Sequence, residues 1–216
     1  MAKRIALIGG TGAEGKGLAA RFARAGLDVC IGSRSAERGK EAAAEVAGLC
    51  GRKVSGATNQ DALKGADLIL LTVPYSGLRE TLRDLASDIG DRILVSAVVP
   101  LEFSRFRIAA LDVPDGSAAQ EAQLLVPSAK VVGAFQNLSA GHLLDLDHEI
   151  DGDVIVCGDH PDAVRETIDL ANLIPGVRGI NGGPLANSRY VEGITALLLN
   201  INRIHRAETH IKIAGI

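Results

Sequence analysis

Apolar residues recur along this chain in short blocks separated by glycine and polar punctuation, and the blocks alternate between two spacings. Arg4 to Gly9 is a strand-sized apolar run closed by glycines. Gly17 to Ala25 follows with Leu18, Phe22 and Ala25 at helical spacing, and Gly26 ends it. Asp28 to Ser33 reads as a second strand, Ser35 as a helix N-cap and Ala36 to Leu49 as an alanine-rich helix. The alternation continues through a strand at Val54 to Thr58, a turn of helix near Asp61 to Lys64, and a strand at Asp67 to Pro74. A helix at Gly77 to Ile89 and a strand at Arg92 to Val99 complete this stretch. Beyond Pro100 the pattern loosens. Glu102 to Gly116 reads as a loop or lid, Ala118 to Leu125 as helix and Lys130 to Phe135 as a sixth strand. Two more strands, Asp153 to Gly158 and Val177 to Ile180, flank a helix at Pro161 to Leu173. A long last helix starts at Leu185 and ends near Arg206. It carries Tyr190, Val191, Ile194, Leu197, Leu198, Ile201 and Ile204 on more than one face, which predicts a core position or a dimer contact.

Strands separated by helices imply a parallel sheet with right-handed crossovers. The expected fold class is therefore α/β: a doubly wound, mostly parallel Rossmann sheet with a smaller C-terminal α/β portion. The expected division is into residues 1–133 and residues 134–216. A chain of 216 residues can bury such a core without disulfides or metals. Its apolar runs are far too short to span a membrane, and the one behind Lys3 and Arg4 is too short for a secretory leader, so a cytoplasmic location is expected. Cys30, Cys50 and Cys157 lack metal or redox spacing and read as inert buried thiols. A net charge of -3, scattered basic residues and the absence of Trp argue against nucleic acid as a partner.

The chemistry begins at the first turn. Gly10-Thr11-Gly12-Ala13-Glu14-Gly15 matches G-x-G-x-x-G between a predicted strand and a predicted helix. Gly10 permits the tight turn, Gly12 lets a pyrophosphate approach the backbone and Gly15 lets the helix pack close to the strand. Phosphates then meet free N–H groups at the positive end of a helix dipole. Gly15-Lys16 also stands at P-loop spacing. Gly17, however, replaces the Ser or Thr that would ligate magnesium, and Asp67 precedes its strand instead of ending it, so an ATPase is disfavoured. After the second strand an NAD site presents Asp or Glu to the ribose. This chain has Ser33-Arg34 with Arg38 a turn later, and guanidinium groups there suit the 2′-phosphate of NADP(H).

Read together, GGTGAEGKGLA, IGSR, TVPY, VCGD, GPLANSR and LLLNINR resemble the coenzyme F420-dependent NADP reductases, in the same order and over the whole chain. The resemblance implies direct hydride transfer between NADP(H) and the deazaflavin coenzyme F420. It also implies a cleft between the nucleotide-binding portion and the C-terminal portion, in a homodimer or higher oligomer. Position by position it implies that Thr11, Gly12, Ala13 and Glu14 hold pyrophosphate, and that Ser33, Arg34 and Arg38 hold the 2′-phosphate. Thr72, Val73 and Pro74, with Ala97 and Val98, would line the nicotinamide ribose. Phe135, Gln136, Asn137 and Leu138, with Leu185, Asn187 and Ser188, would form the acceptor side. The chain departs from the family pattern at Gln136, where some reductases carry His, and at Gly193, where some carry Ser.

Hydride transfer is mainly a matter of positioning, so no dedicated acid or base is required, and none is evident. His142, His148 and His160 read as solvated, as does the acidic run Asp145, Asp147, Glu149, Asp151 and Asp153, whose spacing fits no calcium loop; no metal is expected. A G-x-S-x-G motif is absent. Two other readings remain open at this level: an NADPH-dependent reductase of a flavin, quinone or small carbonyl compound, and a non-catalytic NADP(H)-sensing module.

Overall fold

The structure is a computed structural model that describes residues 3–105 and 107–216. The first half of the chain forms β1 (Arg4–Ile8), α1 (Ala13–Arg24), β2 (Asp28–Ser33), α2 (Ala36–Cys50), β3 (Ser55–Thr58), α3 (Asn59–Ala62), β4 (Leu68–Leu71), α4 (Leu78–Ile89) and β5 (Ile93–Ser96). A short hairpin, β6 (Leu101–Phe103) with β7 (Ile108–Ala110), precedes α5 (Ala118–Leu125) and β8 (Lys130–Gly133). The remainder supplies α6 (Ala140–Leu144), β9 (Gly152–Gly158), α7 (Pro161–Ala171), β10 (Val177–Asn181) and α8 (Ser188–His205).

Eight strands make one sheet in the order β10-β9-β8-β5-β4-β1-β2-β3. Six of them follow the doubly wound pattern, with the direction of winding reversing between β1 and β4. All pairs are parallel except β8 with β9, which meet antiparallel at Val132↔Gly158 and Gly133↔Cys157. Alternate strand residues feed opposite faces. Ile5, Leu7, Val29, Ile31 and Leu70 join the core under α1, α2 and α7, whereas Ala6, Ile8, Ile69, Leu71 and Leu94 join the one under α4 and α5.

Four features differ from the sequence expectation. The first helix begins at Ala13, four residues before Gly17, because tertiary packing overrides the low helix propensity of Gly15 and Gly17. The loop or lid expected at Glu102 to Gly116 contains the β6–β7 hairpin, whose Asn200 partner on α8 accepts from the Ile108 N–H at 3.3 Å. Asp153 is no solvated acid: it is 1% exposed and receives Arg178 Nε and Nη2 at 2.8 and 2.9 Å. His142 and His148 stack at 4.2 Å with His210 at the edge, while His160 is exposed as expected. Cys30 and Cys157 are buried and Cys50 half-buried, all three as free thiols. None of the described helices is long and apolar enough to cross a membrane.

Candidate functional site: a divided cleft at the carboxyl end of the sheet

An open α/β sheet binds ligands outside the carboxyl ends of its strands, where the winding reverses. Two cavities of about 650 and 580 Å³ open there and share one wall, Thr72, Val73 and Pro74, at the end of β4. That wall is fixed by the Thr72 N–H and hydroxyl, which both donate to the Ile8 carbonyl at 3.0 and 3.2 Å.

The first cavity starts at the glycine turn. Gly9 adopts φ +72°, and its N–H donates to Asn59 Oδ1 at 3.1 Å, tying the turn to α3. Added methyl groups would lie 2.8 Å from Leu7 Cβ at Gly10 and 2.6 Å from Gly10 Cα at Gly15, so these two glycines serve packing and do not line the cavity. Gly12 is different: nothing lies within 4 Å of where a methyl would sit. It is the N-cap of α1 and offers no capping oxygen, so the N–H groups of the first turn face open space. Thr11 and Gly12 line this cavity together with Ser33, Arg34 and Arg38. Ser35 caps α2 by accepting from the Arg38 N–H at 3.4 Å, which sets both arginines beside the end of β2. Among the described residues neither Arg34 nor Arg38 has a side-chain partner. The opposite wall, from α4, carries Glu80 and Asp84, so the cavity is cationic on the β2 side alone.

The second cavity lies beyond the shared wall. Ala97 and Val98 line it after β5, and Gln136, Asn137 and Leu138 after β8. Phe135 turns the chain there at φ +74°, an unusual conformation for a non-glycine residue, with its ring buried edge-on against Phe22 at 5.9 Å. Beyond this turn the Gln136 Nε2 donates to the Ser96 carbonyl at 3.2 Å, and the Asn137 Nδ2 reaches the Val191 carbonyl and the Thr195 hydroxyl, both at 2.9 Å. Two oxygens in this cavity are buried without a hydrogen-bond partner, Gln136 Oε1 and Glu14 Oε1. Unsatisfied buried acceptors are rare in native proteins, and on a cavity wall they are placed to meet water or the donor edge of a ligand. Glu14, in the first turn of α1, lines this second cavity and not the first.

The remaining expected residues do not reach either cavity. Ala13 is exposed at the start of α1, and Phe135 is buried behind the lining. Leu185 packs into the core under α4, Asn187 Nδ2 donates to the Gly182 carbonyl at 2.8 Å, and Ser188 is fully buried against Gly133. Gly193 lines neither cavity, so of the two departures from the family pattern only Gln136 touches the cleft. Several lining residues escaped the sequence reading. Thr58 ends β3, Asn59 and Gln60 follow it, and all three were recoverable from the same carboxyl-end rule that singles out Thr72. Tyr75, Thr195, Leu198, Glu208 and Thr209 had no such signal. The Tyr75 hydroxyl donates to Glu121 at 2.8 Å, and burial beside that carboxylate pushes the phenol up to about 12.

Comparison with known proteins gives the same answer along the whole chain. Residues 4–100 match the family model described as NADP oxidoreductase, coenzyme F420-dependent. The F420-dependent NADP reductase of Methanothermobacter thermautotrophicus is 43% identical over 94% of this chain and 90% of its own length. That of Methanocaldococcus jannaschii is 38% identical over 99% of both. A crystal structure from Arthrobacter sp. FB24 superposes with a TM-score of 0.85 over 100% of both chains at 24% identity. An imine reductase from Bacillus cereus does so at 0.65, over 94% of this chain and 63% of its own, at 16% identity; these two likenesses concern the fold. With relatives this similar across nearly its full length, the chain belongs to the coenzyme F420-dependent NADP oxidoreductase family.

Proposed function

We propose that the divided cleft carries out direct hydride transfer between NADP(H) and the deazaflavin coenzyme F420. The observation that carries this reading is the pair of cavities meeting at Thr72, Val73 and Pro74, one cationic toward β2 and the other with two orphaned acceptors. The residues fit both groups. Thr11 and Gly12, with the free N–H groups of α1, suit a pyrophosphate, and the unpartnered Arg34 and Arg38 beside Ser33 suit a 2′-phosphate. Bound NADPH supplies the hydride that the deazaflavin accepts. The protein's part is positional: Val73 and Pro74 at the shared wall, with Ala97 and Val98, hold the nicotinamide end, and Gln136, Asn137 and Leu138 hold the acceptor. Leu138, Leu198 and Leu199 give that compartment an apolar side on which a planar ring can pack.

Residues 1–133 thus serve mainly the dinucleotide, and residues 134–216 serve the acceptor and contacts between subunits. Tyr190, Leu197 and Ile204 are exposed at seven-residue intervals along α8, at 57, 58 and 73%. This stripe suits burial against a second copy in a homo-oligomer. Free cysteines accord with a reducing, cytoplasmic setting. The test is to mix purified protein with NADPH and F420 and follow the deazaflavin absorbance. Turnover with F420 is expected, and turnover confined to flavins, quinones or carbonyl compounds would overturn the assignment.

A further inference from the structure

Reducing a deazaflavin with NADPH consumes a proton as well as a hydride. NADPH gives up a hydride and becomes NADP+, while the deazaflavin gains that hydride on carbon and one proton on nitrogen. Among the described residues lining the acceptor cavity, few can release a proton. The Tyr75 hydroxyl is engaged with Glu121 and its proton is held too tightly. Glu208 accepts from the Ser139 hydroxyl and, at 3.1 Å, from the His142 N–H, an acceptor's geometry for a carboxylate. The other polar lining groups are hydroxyls and amides. Glu14 remains.

We propose that Glu14 is the proton source of the acceptor compartment, giving its carboxyl proton to the acceptor as the hydride arrives. In that step the Glu14 O–H bond breaks, an N–H bond forms on the deazaflavin, and the carboxylate is reprotonated from solvent. This rests on the F420 reading above. The geometric ground is that Glu14 faces the cavity from the first turn of α1, with Oε1 buried and no side-chain hydrogen bond to any described residue. The residue is half-buried with Oε1 shielded from solvent, so a carboxylate there is poorly compensated, whereas a carboxylic acid needs only a ligand acceptor. Burial alone holds its carboxyl high, at about 8, so it keeps its proton at neutral pH. The charges on the surrounding elements do not offset this. On α1, Lys16 pairs with Glu45 of α2, and Arg21 and Arg24 are engaged by α6 and the segment after it, which carry His142, Asp145, Asp147 and His148. Across the cavity stand Tyr75 and Glu208.

The same position brings Glu14 within one helical turn of the phosphates held at Gly12. Their negative charge strengthens the hold on the proton, so dinucleotide binding at and above pH 8 takes up protons through Glu14. The experiment compares wild type with Glu14→Gln and has two arms. Calorimetric titration with NADPH in two buffers of different ionisation enthalpy counts protons. At pH 8 the wild type is expected to take up about half a proton per site more than E14Q, and at pH 6 the two should agree. Proton uptake identical in both proteins at pH 8 overturns the proposal. In the second arm, kcat for F420 reduction by NADPH is measured from pH 6 to 9. The wild-type rate should fall only above pH 8, because kcat reports the complex in which the phosphates hold the Glu14 proton more tightly, and E14Q should be slower by about 100-fold, without that limb. An unchanged limb in E14Q overturns the proposal, whereas absence of F420 turnover in the wild type overturns the functional reading instead.

Discussion

Gly12→Ala isolates the phosphate-binding role of the glycine turn from its packing role. No atom lies within 4 Å of the space a methyl would occupy there, and φ of −77° suits alanine. The substitution costs up to about 1 kcal/mol because alanine is a poor N-cap. It regains about 0.4 to 1 kcal/mol by stiffening the unfolded chain. The melting temperature should therefore move by no more than about 4 °C. Binding is affected differently, because the methyl stands where phosphate oxygens approach the first-turn N–H groups of α1. Losing one charge-assisted hydrogen bond removes about 1.5 to 3 kcal/mol, or roughly 10- to 150-fold in NADPH affinity. Gly15→Ala serves as the contrast: its methyl would press on Gly10 Cα at 2.6 Å, so this variant should lose about 1 to 3 kcal/mol of stability. Thermal melts and titration of NADPH fluorescence read both quantities. If G12A melts normally and binds NADPH within about threefold of wild type, the pyrophosphate does not sit at this turn.

Arg34→Asp replaces an unpartnered guanidinium with a repelling charge and should weaken NADPH by about 30-fold or more while leaving NADH nearly untouched; equal losses in competition titrations would contradict a 2′-phosphate site. Glu192 is 3% exposed and accepts from the Ala118 and Ala119 N–H groups at 2.8 and 3.1 Å, yet burial lifts its carboxyl to about 7 from an ordinary 4.5. A folded-state value above the unfolded one means a contribution to stability that is full below about pH 4.5 and lost as pH rises through 7. Urea midpoints at pH 5 and 8 should then show the wild type losing up to about 3 kcal/mol relative to Glu192→Gln, and a pH-independent difference would refute it. Asp153→Ala removes the partner of Arg178 and the acceptor of the Ile213 N–H, so carboxypeptidase should trim the C-terminal residues faster than in wild type; equal trimming rates would show that the tail is held by other means.

The strands of the first half were legible because each is a compact apolar run with glycine or polar residues at its ends, and the Ser35 cap was legible because its oxygen has an obvious use. The start of α1 was not. The helical spacing of apolar residues registers only from Gly17, whereas the helix starts at Ala13 and includes Gly15 and Gly17, against whose missing side chains Gly10 and Leu143 pack. The β6–β7 hairpin has three-residue strands, too short for a period to register. The reversal of β9 leaves no mark on a hydrophobic pattern, which carries spacing but not direction. At the site, the phosphate-binding end could be read because glycine and arginine are chosen there for reasons local in sequence. The acceptor end is assembled from stretches scattered between Glu14 and Thr209, and its turn depends on a phenylalanine in a conformation its side chain does not advertise.

The buried Arg21 joins these two ends mechanically. From the last turn of α1 its guanidinium gathers the carbonyls of His142, Leu143, Asp145 and His148, the segment that follows the acceptor wall. The helix whose N-terminus opens on the first cavity is therefore clamped to the segment that runs on from Gly141 in the wall of the second. The two compartments share one rigid support, and loss of the Arg21 guanidinium would unsettle both walls at once.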